Sequence, residues 1–443
     1  MDNNQTHKSN NVGWFEQTPD SWSVGKLYQY CRLTNGSTPS RKIDEYWENG
    51  TIPWMSSGEV NKKLIEHIDV KISESGFKNS SLEILPVGTV MMGLNGQGKT
   101  KGTVGLLRVE STCNQSLCGM IPYKNLSSEF LYFYLESQYR DLRGLVGESQ
   151  REGISVSFLS RYPVPIPPLE EQQLITRYLD KKTKQIDSLI EKIQKKIELL
   201  KEQRTSLINQ CVTKGFDPNV EMKDSGVEWI GEIPKHWKRS KLKYLCEIHG
   251  RIGYRGYTVN DIVSEGEGCI TLGPGNIIDQ RLSLEKLTYL SWEKYEESPE
   301  IQIFDDDVIF VKTGSTIGKT CIVKNTHYKM TLNPQMIVMK NIKMNPEYFY
   351  LQSTCNFFQL SFWVEQTGSS TPTISQEKIY EFPMIVPPVE EQGLIVNHLG
   401  SIISRNQNLM DLNIQKINKL KEYRQSLISS AVTGKVRVME DMI

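Results

Sequence analysis

Nothing in this chain is spaced to hold a metal or a disulfide framework. Its eight cysteines, at positions 31, 113, 118, 211, 246, 269, 321 and 355, never form a C-x-x-C pair, and its six histidines do not cluster with them. A zinc site is therefore not expected, nor a set of stapling bridges. No apolar run is long enough to cross a bilayer, and the opening Met1, Asp2, Asn3, Asn4, Gln5 is not a signal peptide, so the cytoplasm is the expected compartment. Net charge is lacking too, since 52 basic residues balance 52 acidic ones. That argues against a polyanion binder working by bulk charge and leaves any DNA-binding surface to local placement. No nuclease carboxylate cluster, Ser/His/Asp arrangement or helicase set stands out.

What the chain has instead is a stretch written twice. Residues 167–213 begin Pro167, Pro168, Leu169, Glu170, Glu171, Gln172, and residues 387–433 begin Pro387, Pro388, Val389, Glu390, Glu391, Gln392, with 20 of 47 positions identical and no gap. Each copy predicts one long helix. Proline suits a helix start because its missing N–H would have no partner there, and the paired glutamates complement the positive end of the helix dipole. In the first copy Ile186, Ile190, Ile193, Ile197, Leu200, Arg204 and Leu207 are spaced alternately four and three apart, the seam of a coiled coil. The matching seam of the second copy is Asn406, Met410, Asn413, Ile417, Leu420, Arg424 and Leu427. Polar seam positions weaken packing but fix register and partner. Two such helices in one chain are expected to pair with each other.

The duplication reaches further. Val12, Trp14, Pro19, Trp22 and Leu27 recur as Val227, Trp229, Pro234, Trp237 and Leu242, and Phe133, Tyr134, Leu135 and Ser137 recur as Phe349, Tyr350, Leu351 and Ser353. The implied plan is a globular unit over 1–166, a helix over 167–214, a second unit over 215–386, a second helix over 387–434 and a tail over 435–443. The fold class expected is α+β: two mixed, strand-rich units separated by two long helices in a quasi-twofold repeat. If the first helix leads from one unit to the other and the second returns, the helices run antiparallel. Between the shared anchors the two units differ almost everywhere, which suggests one fold presenting two surfaces.

Residues 93–100, Gly-Leu-Asn-Gly-Gln-Gly-Lys-Thr, match the P-loop pattern letter for letter. That pattern cradles phosphate only where a helix N-terminus follows it. Here a second β-type run follows, so a Gly-rich hairpin loop with an exposed lysine is the expectation. The related loop at 313–320 lacks the first glycine. Asn333, Pro334, Gln335, Met336 is similar to the Asn-Pro-Pro-Tyr motif of amino-methyltransferases, but Gln335 and Met336 replace the residues that would grip a flipped base. Lys235, Lys238, Arg239, Lys241 and Lys243 place five cations in nine residues with no acid among them, which suits DNA phosphates or, equally, a solvated face.

Taken together, the doubled Pro-Pro-Leu/Val-Glu-Glu-Gln helices, the entry segment 224–234 and the stretch from Gly36, Ser37, Thr38, Pro39 through Trp47, Trp54 and Ser56 to Glu59 resemble the specificity subunit of Type I restriction-modification systems. The resemblance implies two target recognition domains, each reading half of a split double-stranded DNA site, and an antiparallel coiled coil between them. It also implies partners: two methylation subunits that use S-adenosylmethionine and two restriction subunits that use ATP with Mg. The chain itself would hold no cofactor, no metal and no catalytic residue. Candidate DNA contacts in the first unit are Arg41, Lys42, Ser57, Lys62, Asn95, Lys99 and Lys101. In the second they are Lys238, Arg239, Arg251, Tyr254, Arg255, Lys312, Ser315, Thr316 and Lys319. Two alternatives stand beside this reading, a nucleotide-binding enzyme using the 93–100 loop and a purely structural coiled-coil adaptor.

Overall fold

The computed structural model describes residues 7–8, 18–96, 98–145, 153–251, 253–368 and 371–443. Val12, Trp14 and Gln97 lie outside the described residues, as does the side chain of Tyr254. The chain folds as two compact units, one made of Met1–Ile193 with Ile414–Ile443 and the other of Gln194–Asn413.

Both long helices form, Leu169–Lys214 over 46 residues and Val389–Val432 over 44. They are not spacers set apart from the units, because each gives one half to each unit. The reason is burial. In the first unit Ile175, Leu179, Ile428 and Val432 join the same core as the unit's own sheet, and in the second Ile208, Val212, Ile395 and Leu399 do so. Of the seam residues in the first unit, Ile186, Ile190, Ile193 and Ile417 are buried while Leu420 and Leu427 are half-buried. In the second, Met410 is buried and Ile197, Leu200 and Leu207 are half-buried.

The two seam arginines mark the register. Within the first unit Arg424 Nε lies 3.0 Å from Asp187 Oδ1, and within the second Arg204 Nη1 donates to Gln407 Oε1 at 3.1 Å. The paired numbers have the same sum (187 + 424 = 611 and 204 + 407 = 611), so one antiparallel register holds inside each unit. Arg204 and Arg424 are repeat equivalents, and so are Asp187 and Gln407.

Each unit centres on an antiparallel sheet. In the first its order is Cys31–Asn35, Leu117–Pro122, Val90–Gly93, Val104–Leu107 and Leu64–Ile65, the last pair being parallel. In the second it is Glu247–Gly250, Met336–Lys340, Val308–Val311 and Thr320–Ile322. A short parallel pairing stands beside each sheet: Ile52–Met55 with Thr112–Cys113, and Gly268–Leu272 with Met330–Leu332. Against each sheet packs an apolar helix, Ser128–Ser137 or Pro346–Ser353, carrying the repeated Phe-Tyr-Leu positions into the core. All eight cysteines are buried free thiols, and burial pushes Cys31, Cys113, Cys118, Cys246 and Cys321 up to about 12. Thiols so disfavoured as thiolates are packing residues.

The repeated Glu-Glu-Gln string now has a physical role. Gln172 is fully buried. Its Oε1 accepts from the backbone N–H of Ser127 at 2.7 Å, and its Nε2 donates to the carbonyls of Pro167 at 2.8 Å and Asn125 at 3.1 Å. Gln392 repeats this, accepting from the N–H of Asn345 at 2.8 Å and donating to Pro387 O at 2.9 Å. Each amide thus ties the start of a long helix to the cap of the apolar helix in the same unit. Every contact is to main chain, so the clamp survives changes of side chain in the unit it grips. Gln172→Leu keeps the volume but strands a buried N–H and carbonyls, each costing about 1–3 kcal/mol. A loss of about 2–4 kcal/mol in urea unfolding is expected, with a full-length soluble product. A loss under about 0.5 kcal/mol, the scale of surface substitutions, would contradict the clamp.

Candidate nucleic-acid interface

The P-loop-like string is a hairpin. Val90–Gly93 and Val104–Leu107 pair antiparallel, Gly93 N–H donates to Thr103 O at 3.0 Å and Gly102 N–H to Gly93 O at 2.8 Å. A Cβ on Gly93 would sit 2.3 Å from Thr100 O, so hairpin closure itself demands this glycine. A strand follows the string, not a helix N-terminus, and the reading of 93–100 as a nucleotide cradle has no geometry to rest on.

Two residues the sequence gave no reason to single out hold this loop. Arg143 Nη1 donates to the carbonyls of Gly98 at 2.8 Å and Lys101 at 2.9 Å, and Tyr139 OH donates to Lys99 O at 3.1 Å. Both come from the helix Tyr139–Leu145, more than forty positions away in the chain, with no local signal. Asn95 and Lys99 are exposed on the loop held this way. Lys101, also a candidate contact, is not: at 7% exposure it is buried.

Elsewhere in the first unit, Arg41 stacks its guanidinium 4.9 Å from the Trp47 ring and 5.9 Å from that of Trp54. The indole N–H groups of Trp47 and Trp54 donate to Ser40 O at 3.1 Å and Ser37 O at 3.0 Å, bracing the Gly-Ser-Thr-Pro-Ser loop. Gly36 is required there, since a Cβ would fall 1.6 Å from Cys113 O. Lys42 is exposed and Ser57 half-buried, while Lys62 is ion-paired with Glu59 at 2.6 Å.

Three of the five cations in the basic run of the second unit meet acids, two of them sharing one carboxylate. Lys235 meets Glu221 at 2.6 Å, Lys241 and Lys243 meet Glu381 at 2.6 and 2.7 Å, and Arg239 donates to the carbonyls of Ser225 and Gly226 at 3.1 and 2.9 Å. Hydrogen bonds from the two lysines hold the Glu381 carboxyl down at about 2. The acids come from far along the chain, which is why the run reads as unpaired in sequence. Lys238 is exposed on the strand Lys238–Lys241.

Arg251, another candidate contact, is likewise buried, 3% exposed. Its Nε donates to Leu332 O at 3.0 Å, Nη2 to Thr331 Oγ1 at 3.1 Å and Nη1 to Arg255 O at 3.2 Å, and burial lowers its pKa. Arg255 is half-buried, 3.3 Å from Glu300. In the loop after Val308–Val311, Ser315 and Lys319 are exposed, Thr316 is half-buried, and Lys319 Nζ lies 3.3 Å from Ile277 O. Lys312, half-buried beside it, has its pKa lowered by burial, and no acceptor meets its ammonium among the described residues.

Next to these loops each unit builds the same turn. Asn114 N–H donates to Met55 O at 3.0 Å, its Oδ1 accepts from Ser116 N at 3.1 Å, and Leu94 N–H donates to Ser116 O at 2.8 Å. In the second unit Asn333 N–H donates to Leu272 O at 2.9 Å, its Oδ1 accepts from Gln335 N at 3.0 Å, and Lys312 N–H donates to Gln335 O at 2.9 Å. The asparagine is therefore a turn-former in both, which accounts for Asn333 without methyl-transfer chemistry.

Comparison with known proteins gives a consistent result. The family described as Type I restriction modification DNA specificity domain matches residues 19–199 and again 234–422. The Type I restriction enzyme MjaIX specificity subunit of Methanocaldococcus jannaschii is 25% identical over 433 residues, covering 95% of each chain. The Type I restriction enzyme EcoKI specificity subunit of Escherichia coli K12 is 19% identical over 434 residues, covering 94% of this chain and 90% of its own. A solved structure from a study of complex assembly and conformational transition of the type I R-M system superimposes with a TM-score of 0.68 at 15% identity, covering 95% of this chain and 99% of that one.

Proposed function

The chain belongs to the Type I restriction modification DNA specificity family, and from that premise we propose that it is the DNA-reading, non-catalytic subunit of a restriction-modification complex, with each unit reading one half of a bipartite, asymmetric double-stranded site. The observation that carries the reading is the repetition of one plan with different side chains: the same four-strand order, clamp and turn recur in both units, while the loops beside them differ. Two readers of one shape with unlike surfaces suit two unlike half-sites.

In this reading the chain assembles with two methylation subunits and two restriction subunits. S-adenosylmethionine, ATP and Mg act in those partners, which methylate adenine and cut DNA, and this chain supplies specificity. Arg41, Lys42, Asn95 and Lys99 of the first unit, and Lys238, Ser315 and Lys319 of the second with Thr316 half-buried beside them, are the proposed contacts. Both alternatives are weaker, since a hairpin replaces the phosphate cradle and an adaptor would not need two elaborated loop faces.

The test is binding of the assembled complex to duplex DNA over a salt series. Binding should require this chain, and Lys99→Ala should flatten the slope of log K against log salt by about 0.9, the contribution of one phosphate. An unchanged slope would return Lys99 to a solvated surface. Sequence-indifferent binding by the intact complex would overturn the proposed function.

A further inference from the structure

The repeated asparagine turn allows the two units to be compared atom by atom where their sequences share little. Asn114 and Asn333 occupy one position, with equivalent hydrogen bonds to Met55 and Leu272 and to the residue two places on. The backbone frame is the same, but the side chains it displays are not. Leu94 stands where the second unit has Lys312, and Ser116 where it has Gln335, by the matched bonds Leu94 N–H to Ser116 O and Lys312 N–H to Gln335 O. Gln115, exposed in the first unit, stands where the second has Pro334.

We propose that this turn is the base-reading edge of each unit, and that in the second unit Gln335 and Lys312 together specify a purine of the half-site through its major-groove edge. The inference rests on the proposed DNA-reading function and adds which side chains touch bases. Two independent observations point to a ligand here. Gln335 is exposed, its only side-chain bond among the described residues being a long one of 3.4 Å from Asn333 Nδ2, so its amide is free to offer a donor and an acceptor together. That pair matches adenine N6 and N7. Lys312 is half-desolvated with no acceptor among the described residues. Such an ammonium gains from an outside acceptor, and purine N7, or O6 of guanine, is one. A phosphate contact would need neither the amide nor the fixed turn.

The experiment uses the full chain assembled with its methylation subunits and reads the methylated motif by sequencing, together with the salt slope of binding. Gln335→Ala should relax one position of the second half-site, losing about tenfold discrimination there, with the first half-site and the salt slope unchanged. Gln335→Glu removes the donor and should shift that position away from adenine toward cytosine, whose N4 donates. Lys312→Met should relax the same or the adjacent position. A motif unaltered by all three variants would overturn the inference, and so would a uniform affinity loss with a flattened salt slope, the mark of phosphate contact. Because Gln335 is at the surface, its variants should unfold as the wild type does, and an unfolded Gln335→Ala would show the residue to be structural and sink the idea. A wild-type complex with no bipartite motif would remove the proposed function itself, an outcome separate from any of these.

Discussion

Exchanging residues 222–385 for the corresponding unit of a relative should change one half-site completely and leave the other untouched. The expectation comes from how each unit is attached. Each has its own core, and among the described residues no buried residue is shared between the two sets. Gln392 grips only the main chain of Asn345 and Pro387, and Gln172 only that of Asn125, Ser127 and Pro167. A clamp that addresses backbone accepts any sequence that folds the same way. The bonds from His236 and Trp237 to Glu391, at 2.6 and 2.8 Å, precede the strand Lys238–Lys241 and depend on side chains, so the incoming unit should keep that indole. The methylated motif of the chimera is the measurement. Two altered half-sites would show that the units do not read independently.

The second large effect concerns the seam arginines. Arg424 lies 3.1 Å from Glu136 and 3.0 Å from Asp187, with only 12% of its side chain exposed and 14% of that of Glu136. Burial works to lower the guanidinium's pKa, but Glu136 and Asp187 outweigh it and hold the pKa up. Its repeat equivalent Arg204 meets a neutral amide, Gln407, and leaves Nε without a partner among the described residues. Removing one member of a buried ion pair strands the other charge and costs about 3–5 kcal/mol. Lys63, 3.1 Å from Glu136, offsets part of this. Arg424→Met should therefore destabilise by about 3 kcal/mol, whereas Arg204→Met, which strands no charge, should cost about 1 kcal/mol or less. Urea unfolding of the two variants decides it. Equal losses would mean that the charge network adds nothing to the shared seam geometry.

These differences mark how far the sequence could be read. The long helices were legible because the same Pro-Pro start and the same four-three seam, Ile186 to Leu207 and Asn406 to Leu427, are written twice. A short apolar run such as Val308–Val311 forms a strand, but periodicity alone cannot tell it from a buried helical segment. The parallel pairing of Leu64–Ile65 with Val104–Leu107 left no trace, since two residues carry no period and their partner lies some forty positions away. The site was legible as loops and not as contacts. Charge pairing is a tertiary property: Glu221 and Glu381, from outside the basic run, meet three of its lysines, and Arg251 and Lys101 are cations that packing buries. The glutamine clamp was visible as a repeated letter and not as a mechanism, because its partners are backbone atoms.

The most direct measurement is the methylated motif of a host that carries this chain with its partner subunits, compared with the same host lacking only this chain. The account predicts one bipartite motif, with two different half-sites separated by an unread spacer, which disappears when the chain is removed. Methylation that persists without the chain, or a single undivided motif, would contradict it.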